Sequence, residues 1–235
     1  MIRSIRGQGV RLVSCALVCS VLLSGCATGG IEEDPLEGFN RSVFAFNETF
    51  DDAIAKPVAR GYQTVVPDPA DKAITNFFGN LADIGTAINN LLQLKILHAF
   101  EDAGRIVFNT TFGLGGLIDF AGGVGMEKHQ EDFGQTLGYW GAKSGAYLVL
   151  PFLGPSSVRD AFGLAVDSFV FDPVFYINDT ETAVALGGLR AVDRRADLLK
   201  TERILSQVAL DRYSFIRSAY LQRRENQIRD GDSSE

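Results

Sequence analysis

The feature that most constrains this chain is a short apolar segment near its start that ends at a cysteine. Three arginines precede the segment Leu12–Leu23, which only two serines interrupt. The small residues Ser24 and Gly25 follow it, and then Cys26. A basic start, an apolar run and a small-residue site are typical of a cleaved targeting segment. Residues 1–25 are therefore interpreted as a signal peptide that takes no part in the fold.

The segment Leu23-Ser24-Gly25-Cys26 resembles the bacterial lipobox, in which the cysteine is acylated and the chain is cut just before it. The mature protein would begin at a lipidated, palmitate-bearing Cys26, followed by a tether over 26–33. An uncut membrane anchor is the alternative, but the apolar run is short of the roughly 20 residues that a spanning helix needs. No Asp follows Cys26. In such signals an Asp there marks retention at the inner membrane, so we expect export to the outer membrane.

The mature chain is acidic and has no free thiol. Without residues 1–25 it carries 19 basic and 29 acidic side chains, a net charge of −10. This charge argues against nucleic acid as a partner and against general attraction to anionic lipid headgroups. The other cysteines, Cys15 and Cys19, leave with the signal, so neither a disulfide nor a zinc site is expected. The 17 phenylalanines favour a well-filled core, and the alternative is that some of them face hydrocarbon.

Apolar residues recur at helical spacing through the first half of the mature chain, with no strand-like alternation. Asp34-Pro35-Leu36-Glu37 is a typical helix start, with Asp34 predicted as its N-cap. Lys56-Pro57 is predicted to end or kink this helix, and Asp68-Pro69 to begin the next. A further helix is predicted over about 96–112. Three of its apolar residues are predicted to point inward: Phe100, Val107 and Phe108.

The stretch from Gly113 to Gly125 is the richest in glycine, and most of its other residues are apolar. It does not match a phosphate-binding loop, because no Lys-Ser/Thr follows and no G-x-G-x-x-G register fits. Two interpretations remain open, a buried turn between helices and a flexible apolar element that contacts lipid.

The remaining chain is also predicted to be helical, over about 155–170, 180–199 and 202–228, with Ser156 or Ser157 near the first start. The residues from 230 to 235 are expected to be a disordered tail. Several arginines are interpreted as solvent-facing: Arg190, Arg194, Arg195, Arg223 and Arg224.

Several sequence words occur in a fixed order. They are Asp34-Pro35-Leu36-Glu37-Gly38-Phe39-Asn40-Arg41, Asn76-Phe77-Phe78-Gly79-Asn80-Leu81, Phe108-Asn109-Thr110 with Gly113-Leu114-Gly115-Gly116-Leu117-Ile118-Asp119, Asp132-Phe133-Gly134-Gln135-Thr136-Leu137-Gly138, and Leu150-Pro151-Phe152 before Arg159-Asp160. Together they resemble the VacJ-like MlaA family of outer-membrane lipoproteins. The resemblance covers about residues 34–222, and we assign 34–229 to one VacJ-like helical domain.

The resemblance implies an all-α, ring-like single domain of several short helices, with a glycine-rich hairpin and a central amphipathic channel. It implies a lipid-anchored position in the periplasm-facing inner leaflet of the outer membrane. The implied function is removal of phospholipids mislocalised in the outer leaflet and their transfer to a soluble periplasmic carrier, which maintains lipid asymmetry. A trimeric porin is the implied membrane partner. No cofactor, metal or catalysis is expected.

Candidate site residues divide into two sets besides the lipidation site Cys26. For Asn40 and Asn47, a bond to neighbouring backbone is an equally open interpretation. The family's flexible hairpin has glycines around the position of Gly141, and Lys143 stands where a second glycine would be expected. Whether this hairpin moves as a hinge is therefore left open. The candidates for the channel or hairpin are Gly113, Gly115, Gly116, Leu117, Gly122, Gly123, Gly141 and Gly145. The candidates for polar contacts are Asn40, Arg41, Asn47 and Asp160.

Two rival functions stay open. A periplasmic lipase would need a nucleophile and a base, yet the chain has no G-x-S-x-G elbow. Its histidines, His98 and His129, lie in no zinc-hydrolase motif and are predicted on a helix surface and in a loop. A triad can still assemble from distant residues. The other rival is a purely structural partner of a porin.

Overall fold

The computed structural model describes residues 34–205 and 211–230, without the side chains of 200–205. Cys26, the signal peptide, the tether and residues 231–235 lie outside the described residues. The described chain is mainly helical, which confirms the predicted all-α class. The helices are α1 (Glu37–Phe50), α2 (Lys56–Val65), α3 (Asp68–Leu92), α4 (Ile96–Thr111), α5 (Phe120–Gly123), α6 (Phe133–Tyr139), α7 (Val158–Val166), α8 (Thr180–Leu205) and α9 (Arg212–Ile228).

Three short turns and one small hairpin complete the fold. A first π-helical turn spans Asp51–Ala55, a second spans Asp167–Phe171, and a 3₁₀ turn spans Pro173–Tyr176. The strands β1 (Tyr147–Leu150) and β2 (Gly154–Ser157) pair antiparallel. No strand was predicted here, and β2 takes in the first residues of the helix predicted over about 155–170, which begins at Val158 instead.

The contacts between elements close on themselves. α1 lies against β1, β2 lies against α7 and α9, and α7 lies against α6. α6 contacts α3, which packs along α4 and against α8. α8 packs on α2, and the first π turn joins α2 back to α1. This closed order is the ring-like arrangement that the family resemblance implied.

The start of α1 and the chain that follows its end differ from the sequence prediction. Leu36, not Asp34, is the N-cap, and the buried Asp34 carboxylate instead accepts hydrogen bonds from Asn40 Nδ2 at 2.9 Å and from the Tyr213 hydroxyl. Pro57 does not end the helix, because α2 begins at Lys56 directly after the first π turn. Proline has no N–H for the carbonyl four residues earlier, and a widened turn accommodates that missing bond.

The phenylalanines are mostly on the outside. Eleven of the 17 are exposed and only Phe78 is buried, so the interpretation of a phenylalanine-filled core is wrong. In α4 the Phe100 side chain is 74% exposed, whereas Asp102 and Arg105 are buried. The predicted inward orientation of Phe100, Val107 and Phe108 is therefore also wrong. A helical stripe fixes which residues share a face, but not which face meets the interior.

The interior is correspondingly polar. Twenty polar or charged side chains are buried in the described chain, against eight apolar ones. On α3 the buried residues are Phe78, Asn80, Asp83, Thr86, Asn89 and Asn90. Buried polar groups are tolerated only when they are hydrogen-bonded, so the helices must be joined by side-chain networks. None of the described helices combines the length and the apolarity needed to cross a membrane.

Two asparagines on α1 hold the β-hairpin by its backbone. Asn40 Nδ2 donates to the Tyr147 carbonyl at 3.0 Å, and Asn40 Oδ1 accepts from the Val149 N–H at 2.9 Å. Two turns further along, Asn47 donates to the Leu150 carbonyl at 2.9 Å and accepts from the Phe152 N–H at 2.8 Å. These bonds satisfy backbone groups on the open edge of β1. The backbone they reach is distant in sequence, so the interpretation as neighbouring-backbone bonds is wrong.

We expect Asn40→Ala to lower the free energy of unfolding by about 2–4 kcal/mol, because it leaves buried partners unsatisfied. Asn47→Ala, at a half-buried site, should cost only about 1 kcal/mol. The exposed Asn178→Ala is the matched control and should change little. Urea unfolding of the mature protein in non-ionic detergent, followed by circular dichroism, measures all three. An Asn40→Ala variant as stable as Asn178→Ala would contradict the role of Asn40 in holding the β-hairpin.

Candidate functional site

A pocket of about 480 Å³ lies under the loop that joins α6 to β1 (residues 140–146, the α6–β1 loop). The loop contributes Gly141, Lys143 and neighbouring residues to its wall. The start of α7 contributes Arg159 and Asp160, and α9 contributes charged and aliphatic side chains. The pocket wall is therefore amphipathic, and it brings Gly141 and Asp160 of the predicted site residues together.

Asp160 is the central acid of this pocket. Its Oδ1 accepts from Arg159 Nε at 2.9 Å and from Arg224 Nη2 at 3.1 Å, and its Oδ2 accepts from the Tyr220 hydroxyl at 2.6 Å. Ser157 caps α7 by accepting from the Asp160 N–H. Burial alone would raise the pKa of Asp160, but the bonds from Tyr220 and Arg224 outweigh it and lower the pKa. Asp160 is thus an ionised anchor between α7 and α9.

Arg224 is a buried bridge between two acids. Its guanidinium bonds to Asp160 and to both carboxylate oxygens of Asp132, which in turn caps α6. Only 9% of Arg224 is exposed, so its interpretation as a solvent-facing residue is wrong. Two further arginines from that group are ion-paired, Arg190 with Asp172 and Arg195 with Asp51.

Arg41 lies away from the pocket and joins α1 to α9. Its guanidinium pairs with Glu37 at 2.7 Å and with Asp211 at 2.9 Å, and it lies 4.3 Å from the centre of the Tyr213 ring. The bond from Arg41 lowers the pKa of the Asp211 carboxylate, which also caps α9. With Asn40 and Asn47 it belongs to the contacts that fix the two ends of the domain.

The glycine segment, residues 113–125, forms a series of turns followed by α5, not two paired strands. Arg105 Nη2 donates to Asp119 at 2.9 Å, and Asn109 donates to Asp119 and accepts from the Ala121 N–H. The segment is therefore held from inside by α4. Its outer surface is apolar, with five exposed side chains: Leu114, Leu117, Ile118, Phe120 and Val124.

Three predicted glycines in this segment, Gly113, Gly116 and Gly122, occupy positions where a side chain would clash, and at Gly122 the clash is with the Asp119 carboxylate at 2.4 Å. A Cβ on Gly113 would lie 2.1 Å from the Ile118 carbonyl oxygen, and a Cβ on Gly116 would lie 2.9 Å from the Asn80 Cβ. Gly115 and Gly123 have open space around them. In the α6–β1 loop, Gly141 and Gly145 have positive φ angles of +90° and +71°.

A second polar network, between α3 and α6, was not anticipated from the sequence. The Thr136 hydroxyl donates to Asn89 Oδ1 at 2.8 Å and accepts from Gln93 Nε2 at 3.1 Å. Asn89 Nδ2 reaches Asp167 at 3.1 Å, and Asp167 also accepts from the Phe133 N–H at 2.9 Å. The signal was present on α3, where polar residues recur every three or four positions: Asn80, Asp83, Thr86, Asn90 and Gln93.

The two histidines stack on each other beside a buried acid. His98 lies on α4 and His129 in a loop, as predicted, with ring centres 4.2 Å apart. His129 Nδ1 is 3.0 Å from Asp102 Oδ1. Among the described residues, no group of three or more His, Cys, Asp and Glu side chains is placed to hold a metal ion.

Comparison with known proteins decides the family. The model of the MlaA lipoprotein family matches residues 32–227. The chain belongs to the MlaA lipoprotein family. The intermembrane phospholipid transport system lipoprotein MlaA of Escherichia coli K12 is 36% identical over 214 residues, covering 88% of this chain and 84% of that protein. The corresponding Haemophilus influenzae protein is 35% identical, covering 92% of this chain and 90% of its own.

The MlaA fold is also present among solved structures. One chain comes from a solved structure that addresses the "structural basis for maintenance of bacterial outer membrane lipid asymmetry". It matches this chain with a TM-score of 0.72 and 33% sequence identity. The match covers 83% of this chain and 98% of that one. Other MlaA-like relatives carry no assigned activity, among them an uncharacterized Rickettsia bellii protein that is 34% identical over 195 residues.

We expect Gly116→Ala to destabilise the glycine segment more than the same change at its neighbours. Its φ of +95° disfavours any side chain, at about 1–3 kcal/mol, and the contact with Asn80 adds to that cost. Gly115→Ala, with φ +73° and open space, isolates the backbone cost, and Gly123→Ala should be near neutral. Thermal unfolding ranks the three variants. Equal stability of all three would show that the segment is loosely held.

We expect Asp167 to make stability depend on pH. Burial raises its pKa to about 6, despite the bonds from Phe133 and Asn89. Its unfolded pKa is about 3.9, so between about pH 4 and 6 the folded state binds more protons and stability falls as pH rises.

Comparison with Asp167→Asn isolates this effect, because the lowered pKa values of Asp132 and Asp160 change stability only below about pH 4, outside the range in which Asp167 titrates. The stability of the wild type relative to Asp167→Asn should decrease from about pH 4 to 6 and stay level above, measured by urea unfolding. A difference that does not change with pH would contradict the raised pKa.

Proposed function

We propose that this protein removes phospholipids mislocalised in the outer leaflet of the outer membrane and passes them to a soluble periplasmic carrier. The single observation that carries the proposal is the inverted distribution of side chains, with eleven exposed phenylalanines around a polar interior. Its relatives are intermembrane phospholipid transport lipoproteins by name. The activity is movement of a lipid without bond cleavage, and it maintains lipid asymmetry.

The apolar exterior supports a position within one leaflet. Exposed Phe108, Phe112 and Phe120 pack against one another, with ring centres 5.3–6.4 Å apart. An apolar patch of this kind on a soluble protein marks a protein or membrane contact. The position that we propose is the periplasm-facing inner leaflet, where this exposed apolar surface would contact the acyl chains of one lipid layer.

The polar interior supports a path for the headgroup. A phospholipid has about 30 CH₂ groups, and at about 0.8 kcal/mol each their exposure to water would cost on the order of 20 kcal/mol. A charged headgroup moving through hydrocarbon is also costly. A ring with apolar walls outside and an amphipathic channel inside meets both costs. Gly141 and Gly145 would let the α6–β1 loop move at the mouth of this channel. The glycine segment, with Leu117, would contact lipid.

The anchor and the partners complete the proposal. Residues 1–25 are removed, Cys26 carries the lipid, and 26–33 tether the domain of 34–229. A trimeric porin holds the ring in the membrane, and a soluble carrier accepts the lipid from the periplasmic side. The sequence has no nucleotide-binding motif, so direction comes from lipid imbalance and from the higher affinity of the carrier.

One observation favours a hydrolase as a second candidate. The Asp102–His129 pair resembles the acid and base of a catalytic triad. Among the described residues, no serine hydroxyl is hydrogen-bonded to His129, and His98 covers its ring. Release of free fatty acid from phospholipid by the purified protein, lost in His129→Gln, would establish this activity instead.

Deletion of the protein should raise outer-leaflet phospholipid several-fold, because misplaced lipid is no longer removed. A label that does not cross the outer membrane measures this phospholipid. The wild type and Cys15→Ala, whose cysteine leaves with the signal, should restore the normal level. Cys26→Ala should not, because the protein is no longer anchored. An unchanged lipid level on deletion would favour the structural porin partner.

A further inference from the structure

Four cations and two acids line the pocket under the α6–β1 loop, and Arg224 also pairs with Asp132 outside the lining, so one cation is left without an acid. Arg159 lies beside Asp160, Arg224 bridges Asp160 and Asp132, and Arg229 pairs with Glu225 at 2.7 Å. The remaining lining cation is Lys143, for which the described residues provide no hydrogen bond and no ion pair. Its ammonium group is exposed to water at the pocket wall.

We propose that this pocket is a binding site for the phosphodiester of an anionic phospholipid headgroup, with Lys143 as the residue that binds the phosphate. The inference rests on the proposed function, and it assigns a ligand class to this pocket. It also gives a role to Lys143, which stands where the family has glycine.

Two buried arginines add positive charge at the same pocket. Arg159 and Arg224 are 8% and 9% exposed, and both line the pocket. Arg159 Nη2 is 2.9 Å from Asp160 Oδ1 but lacks the alignment of a hydrogen bond, and Arg224 Nε has no hydrogen-bond partner. Buried N–H groups without an acceptor are costly. These two N–H groups have almost no solvent-accessible surface, so the arginines add positive charge beside the pocket, and the exposed Lys143 is the group that would contact the phosphate.

The shape of the pocket suits a headgroup better than a whole lipid. Its volume of about 480 Å³ lies within the range of small-molecule sites, roughly 300–1,000 Å³. Leu221 and Ile228 of α9 form an aliphatic side beside the charges. The cations would bind the phosphodiester, and the aliphatic side would contact the first methylene groups of the acyl chains.

The α6–β1 loop can present Lys143 to such a ligand. Its neighbours Gly141 and Gly145 have positive φ angles, and Gly141 has no atom within 4 Å of the place a Cβ would occupy. Arg159 holds the loop from below by donating to the Ala142 carbonyl at 3.2 Å. The loop backbone is also held on both sides of Lys143, by the bond from the Ala142 N–H to the Leu137 carbonyl and by the bond from the Arg159 N–H to the Ser144 carbonyl. The Lys143 residue itself is exposed between these points.

The test is calorimetric titration of the mature protein, in non-ionic detergent at low salt, with dihexanoyl phosphatidylglycerol. Lys143→Gln should weaken binding by about tenfold, because one charge-assisted contact is lost. Lys143→Arg should bind within about twofold of the wild type, because the charge is retained. The matched control is Lys72→Gln, another exposed lysine that no described residue pairs with, and it should also bind within about twofold.

Inorganic phosphate and glycerophosphoglycerol, titrated in parallel, distinguish the sources of the phosphate group. The lipid should bind at least about tenfold more tightly than inorganic phosphate, because only the lipid contacts the aliphatic side. Equal affinities would assign the pocket to a free anion and overturn the headgroup assignment. Unchanged binding in Lys143→Gln, or an equal loss in Lys72→Gln, would overturn the role of Lys143.

The outer-leaflet assay separates this inference from the proposed function. If the wild type restores lipid asymmetry in the deletion strain while Lys143→Gln binds lipid normally, the inference is wrong and the function stands. If deletion leaves the outer-leaflet lipid unchanged, the function is wrong whatever the pocket binds.

Discussion

Side-chain hydrogen bonds between buried polar groups hold these helices together, in the place that apolar packing occupies in most soluble domains. The Asn89, Thr136 and Gln93 bonds join α3 to α6, and the Asp132–Arg224–Asp160 bridge joins α6, α7 and α9. Removing one partner of a buried pair is costly, because the other is left without compensation. The interior is therefore specific in its pairing, and the apolar residues remain free to face outward.

Hydrogen bonds between buried polar side chains also join the two ends of the domain. The buried Asp34 carboxylate binds Asn40 and Tyr213, and Arg217 lies 3.5 Å away. Residues near the start and near the end of the described chain thus meet at one acid. The β-hairpin contacts both α1 and α9, and Asn40 and Asn47 of α1 hold it by its backbone. A closed ring needs such a junction, since otherwise the first and last helices would separate.

Much of the fold could be predicted from the sequence, but the side of each helix that faces outward could not. Helical spacing located α1, α3 and α4, because periodicity depends only on the local chain. It did not place Phe100 on the outside, because a periodic apolar stripe is the same whether it faces a core or a membrane. The polar stripe on α3 was equally periodic and carried the missing information.

The site was predictable in part, for a related reason. The family resemblance singled out Asp160 and Gly141, which do lie at one pocket. Arg224 was missed because its burial depends on Asp132, which lies 92 positions earlier in the chain. The β-hairpin was missed because four-residue strands bounded by proline and glycine have little pattern of their own. Asn40 and Asn47 revealed their partners only once the hairpin was in place.

Spin labels at single cysteines test the central claim, that the apolar outer surface lies in lipid. Cys15 and Cys19 would leave with the signal and Cys26 would be acylated, so one introduced cysteine is the only thiol. Labels at Leu114 and Phe100, in the lipid-anchored protein in bilayers, should collide with oxygen and be shielded from a water-soluble nickel complex. A label at the exposed Lys72 should show the opposite. Equal access of the nickel complex to all three positions would contradict the account.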